Sequence, residues 1–150
     1  MAKFVYRMQN ILNLNQKLED QAKIEYATQQ AVLNEAEEKE ERLRERRAGY
    51  MDEARRMRGE ALNVRDMIAN ARAIDIMGDM IEDQHKVVEK EEVRLEEKRS
   101  ALELAIQDRK TQEKLKENAF DEFKAELAAE EMKEIDQLTS YTYGSKKQDK

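Results

Sequence analysis

Apolar residues recur every seven positions through the middle of the chain, at Ile74, Ile81, Val88, Leu95 and Leu102. A strict repeat of this kind keeps one narrow seam turned toward a partner helix, because supercoiled helices complete a turn in about 3.5 residues. A second stripe starts at Phe4 and runs through Met8, Ile11, Asn15, Leu18, Ala22, Glu25 and Gln29 in alternating steps of four and three. It resumes at Leu33, Ala36, Glu40, Leu43, Arg47, Tyr50, Ala54, Met57 and Ala61 after one extra four-residue step, a stutter near Val32. Asn, Gln, Glu and Arg at seam positions lower the stability of a coiled coil and can fix its register. The two stripes predict an all-α fold, a long antiparallel two-helix coiled coil folded as a helical hairpin.

Punctuation sets the turn. The chain has no Pro and four Gly residues, so little is available to build sheets or frequent turns. Gly59 can adopt the left-handed conformation that ends a helix, and Asn63 followed by Asp66 reads as an N-cap with an acidic first turn. The sequence predicts a single coiled-coil domain over 1–150, with helix one at about 3–58, the turn at about 59–63, helix two at about 64–139 and a disordered tail over 140–150. Gly78 falls inside the Ile74 to Ile81 repeat and reads as an interior glycine tolerated for close packing. With the turn near residue 61, facing residues should carry numbers that sum to about 122. Helix two would then overhang helix one, leaving an apolar pattern of Phe120, Phe123, Leu127, Ile135 and Leu138 without a partner from about Ala119 onward.

Charge and chemistry narrow the functional classes. Charged residues make up 41% of the chain, and the absence of Cys removes disulfides, thiol catalysis and thiolate metal sites together. From Glu117 to Asp136, eight acidic residues face two lysines, so this stretch alone carries as much net charge as the whole chain, −6. That balance argues against nucleic-acid binding and against a membrane-surface helix, both of which draw on Lys/Arg-rich faces. No apolar run is long enough for a secretory signal or a membrane span. Glu82 and His85 stand at the spacing of paired metal ligands on a helix, but a di-iron site needs two such motifs and the chain has one His. Phosphate-binding, calcium-binding and nucleophile-elbow motifs are absent, and no nucleophile-and-base pair is encoded. The reading is non-enzymatic, with no cofactor and no metal.

Binding surfaces are the remaining source of function. An unpaired apolar stripe on an acidic helix suits a docking site for another protein. Near the turn, Arg42, Arg44, Arg46, Arg47, Arg55, Arg56 and Arg58 alternate with acids and surround Tyr50, Met51 and Met57. Mixed signs at helical spacing make a solvated, paired face, while Arg, Met and Tyr are residue types enriched at interfaces. Ala73, Met77 and Met80 extend this patch across the hairpin.

The opening Phe4-Val-Tyr-Arg7-Met-Gln9-Asn-Ile11-Leu12 resembles the start of the FliJ family, small coiled-coil proteins of the bacterial flagellar type III export apparatus. The closing Lys133-Glu134-Ile135-Asp136-Gln137-Leu138 and the stretch from Asn63 to Ile81 are similar to the family's corresponding segments. The resemblance implies a stalk-like accessory protein and general chaperone that binds the hexameric export ATPase and the membrane export gate and helps cycle export chaperones in flagellum biogenesis and motility. It implies a chain that is a monomer on its own, cytoplasmic, and peripherally associated with the membrane at the flagellar base without inserting into it. The ATPase-facing residues would be Phe4, Arg7, Phe120, Phe123 and Leu127; the gate-facing residues would be Leu43, Tyr50, Ala73, Met77 and Met80. The competing reading is a structural spacer, a parallel homodimer built on the same heptads.

Overall fold

A computed structural model describes residues 2–61 and 63–148, with the side chains of 147 and 148 left aside. Two helices account for nearly all of it: α1, Gln9–Arg58, and α2, Val64–Gln148. The protein is an all-α helical hairpin. Its contacts divide into two units, one of residues 1–19 with 104–150 and the other of residues 20–103. In each unit a stretch of α1 packs against a stretch of α2 that runs in the opposite direction.

In the unit of residues 20–103 the core consists of two small clusters. Leu33, Ala36 and Val88 are buried together with Leu95 against them, and Leu43, Met77 and Ile81 are buried with Tyr50 against them. Three pairs that bond across this hairpin, Gln29 with Glu91, Ala36 with Gln84 and Tyr50 with Asn70, each have numbers totalling 120, within two residues of the register expected from the turn.

Burial along α1 corrects the expected seam. Leu12 and Glu19 are buried, whereas Ile11 and Leu18 are 43% and 52% exposed. The seam therefore runs from Leu12 through Asn15, Glu19, Ala22, Tyr26 and Gln29 into Leu33 with no stutter. Steps of three and four then continue unbroken to Met57. Sequence hydropathy pointed to Ile11 and Leu18 because each is more apolar than the seam position beside it, Leu18 markedly more than Glu19. Glu19 is nevertheless drawn in by the Arg109 guanidinium, which also bonds Glu113 at 2.8 Å. The Arg109 pKa is raised by the hydrogen bond to Glu19.

The turn region differs in its chemistry from expectation. α1 ends with Gly59 N–H donating to the Arg56 carbonyl at 3.1 Å, a tight 3₁₀-type closure, and Gly59 does not take a positive φ. Asn63 caps α2 through its side-chain oxygen, which accepts the Asp66 backbone N–H at 3.3 Å. Leu62 lies outside the described residues.

Two further differences concern the ends. α1 begins at Gln9 rather than near residue 3, because residues 3–6 alternate, half-covering Phe4 and burying Tyr6 while Lys3 and Val5 stay exposed. Only an extended segment puts positions two apart on one side. At the other end α2 continues helical to Gln148, where a disordered tail was expected. A lone Gly144 weakens a helix by about 1 kcal/mol without ending it, and no Pro follows. Asp149 and Lys150 lie outside the described residues.

Candidate docking sites

The extended segment before α1 gathers the aromatic residues. Phe4 meets Phe120 edge-on with ring centroids 5.1 Å apart and lies 5.5 Å from Phe123; Phe120 and Phe123 are 6.5 Å apart. These spacings fall within the range in which ring quadrupoles attract. Tyr6 anchors the segment by donating its hydroxyl to Gln112 Oε1 at 2.9 Å. Lys124 Nζ stands 4.9 Å from the centre of the Phe120 ring, a cation over a π face.

The cluster is incompletely covered. Phe120 is 40% exposed, and three hollows of about 570, 510 and 470 Å³ open around the rings. Arg7, Ala119, Glu122, Phe123 and Glu126 line the largest; Leu127 and Ala129 share the smallest with Ala2. The overhang of α2 thus begins later than expected. Ala119, Phe123 and Leu127 are half-buried and Ala2 and Phe4 line hollows with them, whereas residues 128–146 are all exposed. Met132, Ile135 and Leu138 are 55–66% exposed on that stretch.

The five residues expected at the second site do not form one surface. Leu43 and Met77 are each 7% exposed and belong to the core with Ile81, so a partner could touch neither without opening the hairpin. Tyr50 and Ala73 line a shallow hollow of about 300 Å³ with Met57 and Asn70. Met80 is 41% exposed. With Ile76 and Val87, 55% and 44% exposed, it follows steps of four and seven along α2, which place all three on one helical face. Ile76 and Val87 carried the signal for this face in their spacing to Met80, but the stronger heptad of Ile74 and Ile81 beside them obscured it.

Polar chemistry lies along the helices rather than in a cleft. Gln84 fills the seam position and is buried, while the neighbouring His85 ring is about half exposed. Its Nδ1 lies 2.8 Å from Glu40 Oε1 across the hairpin and its Nε2 lies 3.1 Å from Glu89 Oε1 on its own helix. For Glu40, burial pushes the carboxyl pKa up, but hydrogen bonds from Arg44 and His85 outweigh it and leave the net shift downward. The Glu25 carboxyl is lowered by the Gln21 amide and by Lys98 at 3.4 Å. No helix among the described residues is long and apolar enough to cross a membrane.

The family model described as the flagellar FliJ protein matches residues 4–148, from the first aromatic of the cluster to the end of α2. The chain belongs to the FliJ family. It is therefore a component of the flagellar export apparatus, and the FliJ match spans both units of the hairpin. No curated protein and no solved structure matches the chain.

Proposed function

We propose that the chain is a non-enzymatic accessory stalk that docks on the hexameric flagellar export ATPase through the aromatic end and on the membrane export gate through α2, and that it helps cycle export chaperones. The observation that carries this reading is the Phe4, Phe120 and Phe123 cluster, held together yet left partly open beside an acidic helix. Aromatic groups in a half-covered cluster bury a large area on binding at little conformational cost, which is how interface anchors act. Arg7 borders one hollow beside the cluster and Leu127 another. The surrounding net charge of −6 over 117–136 calls for a basic or polar lining in the partner.

For the gate, Met80 with Ile76 and Val87 is the accessible face, and Tyr50 with Ala73 lines the hollow nearer the turn. Leu43 and Met77 act from below as support. The protein would work in the cytoplasm, peripherally associated with the membrane at the flagellar base. A parallel homodimer lacks support, because within residues 20–103 the seam it would use is filled by the chain's own second helix.

Titration of the purified export ATPase with the wild type and with Phe120→Ala and Phe123→Ala tests the first contact. Affinity should fall at least about tenfold for variants whose circular dichroism is unchanged, the loss typical of an interface anchor. Unchanged affinity for both would overturn the assignment. Met80→Asp should weaken binding to the soluble domain of the gate protein and leave ATPase binding alone.

A further inference from the structure

The apolar repeat that defines the hairpin cannot choose its own register. Ile74, Ile81, Val88, Leu95 and Leu102 look alike one heptad along, so a seven-residue slip presents nearly the same stripe to α1. Within residues 20–103 the seam positions that break this sameness are polar and buried: Asn70 is 8% exposed, Gln84 7% and Glu91 8%. Each is satisfied across the hairpin. Asn70 Nδ2 donates to the Tyr50 carbonyl at 3.0 Å, Gln84 Nε2 donates to the Ala36 carbonyl at 3.0 Å, and Gln29 Nε2 donates to both the Glu91 carbonyl, at 3.2 Å, and its carboxylate.

We infer that these three rungs form a register lock, selecting one alignment from a heptad series that the apolar stripe leaves degenerate. The rungs are specific although three of their four acceptors are backbone carbonyls. Ala36 is the small residue that lets the Gln84 amide reach a helical carbonyl, and a one-heptad slip would set Gln84 against Leu43, whose side chain covers that path. The same slip would carry Glu91 from Gln29 to Ala36, leaving a buried carboxylate without its amide donor and with only Arg94, at 2.9 Å on its own helix. Asn70 would meet Met57. Buried polar groups of this kind cost stability and return specificity of alignment.

The chain has no native Cys, so introduced thiols report cleanly. Cysteines at Glu25 and Lys98, whose side chains meet at 3.4 Å, report the native register when bridged by a short bismaleimide; cysteines at Val32 and Lys98 report a slip of one heptad. Their loss removes one exposed ion pair, a small perturbation. In the otherwise wild-type chain the first pair should cross-link and the second should not. In the variant carrying Gln29→Leu, Gln84→Leu and Glu91→Leu, thermal stability should hold or rise while exclusive native cross-linking is lost and the slipped product appears. Gln84→Leu alone should show the slipped product in smaller yield, and it covers the case of a triple variant that fails to fold. Native cross-linking alone in helical, folded variants would overturn the lock and assign register to the turn.

Discussion

The two units of the hairpin join the same pair of helices by different means. In residues 20–103 small aliphatic clusters alternate with buried amides and a buried carboxylate, and the best-covered side chains, Leu33 and Val88, are 5% and 4% exposed. In the other unit Leu12 is 3% exposed and Tyr6 is buried, but Phe4 lies on α2 beside Phe120, which stays 40% exposed along hollows of several hundred Å³. A closed seam serves stability and alignment, whereas an open aromatic cluster keeps contact area in reserve for a partner. Truncation should separate the two roles. Leu33→Ala removes a buried side chain between Ala36 and Val88 and should cost about 2–4 kcal/mol, read as a lower thermal midpoint by circular dichroism. Phe123→Ala should cost less stability, because its ring is only half covered, and more binding. A larger stability loss for Phe123→Ala than for Leu33→Ala would erase the distinction.

The second prediction concerns the start of α2, which belongs to the closed unit. Asn63→Ala deletes the acceptor of the Asp66 N–H and should destabilise the hairpin by about 1 kcal/mol, with amide exchange accelerating first at residues 64–67. An unchanged exchange rate there would mean that the cap is replaced by solvent without cost.

The cap could be read from Asn63 and Asp66 alone, and so could the hairpin, because heptads and a glycine-marked gap are local signals. The course of the first seam could not. Leu18 is more apolar than Glu19, and only the three-dimensional position of Arg109, ninety residues along the chain, makes the glutamate the buried one. The same limit separated the two candidate sites. Phe4, Phe120 and Phe123 stood out as candidates because aromatic residues are rare here, at 5% of the chain, but the packing of Phe4 onto the other two rings was not expected. Leu43 and Met77 were not distinguishable from surface residues, since neighbouring positions on a short helical arc are all apolar and a rotation of a fraction of a turn decides which is covered.

Smaller effects should come from the glycines, and they sharpen the difference between a closed seam and a free surface. A Cβ on Gly49 meets nothing within 4 Å, and one on Gly78 meets the Arg47 guanidinium at 3.5 Å, ordinary contact with a flexible side chain. Gly49→Ala should stabilise by about 0.5–1 kcal/mol through helix propensity alone, and Gly78→Ala by somewhat less because Arg47 must settle around the methyl group. A destabilised Gly78→Ala with a stabilised Gly49→Ala would show that close packing beneath Arg47 is what retains the glycine.

The smallest effect is the acid response of the closed unit, to which Glu25 and Glu40 belong. Both carboxyls are held below the ordinary value of 4.5, Glu40 by Arg44 and His85 against the opposing pull of burial, and Glu25 by Gln21 and Lys98. A carboxyl whose folded pKa is depressed adds stability above its unfolded value, and that stability disappears as the pH falls through the folded value. The thermal midpoint should therefore be steady from about pH 7 to about pH 5 and decline below 4.5. Glu40→Gln keeps the side chain's size and removes its titration, so it should start from a lower midpoint at neutral pH and lose less on acidification than the wild type. An equal acid loss in Glu40→Gln would place the sensitivity elsewhere, with the Arg109 cluster around Glu19 as the next carboxylate to remove.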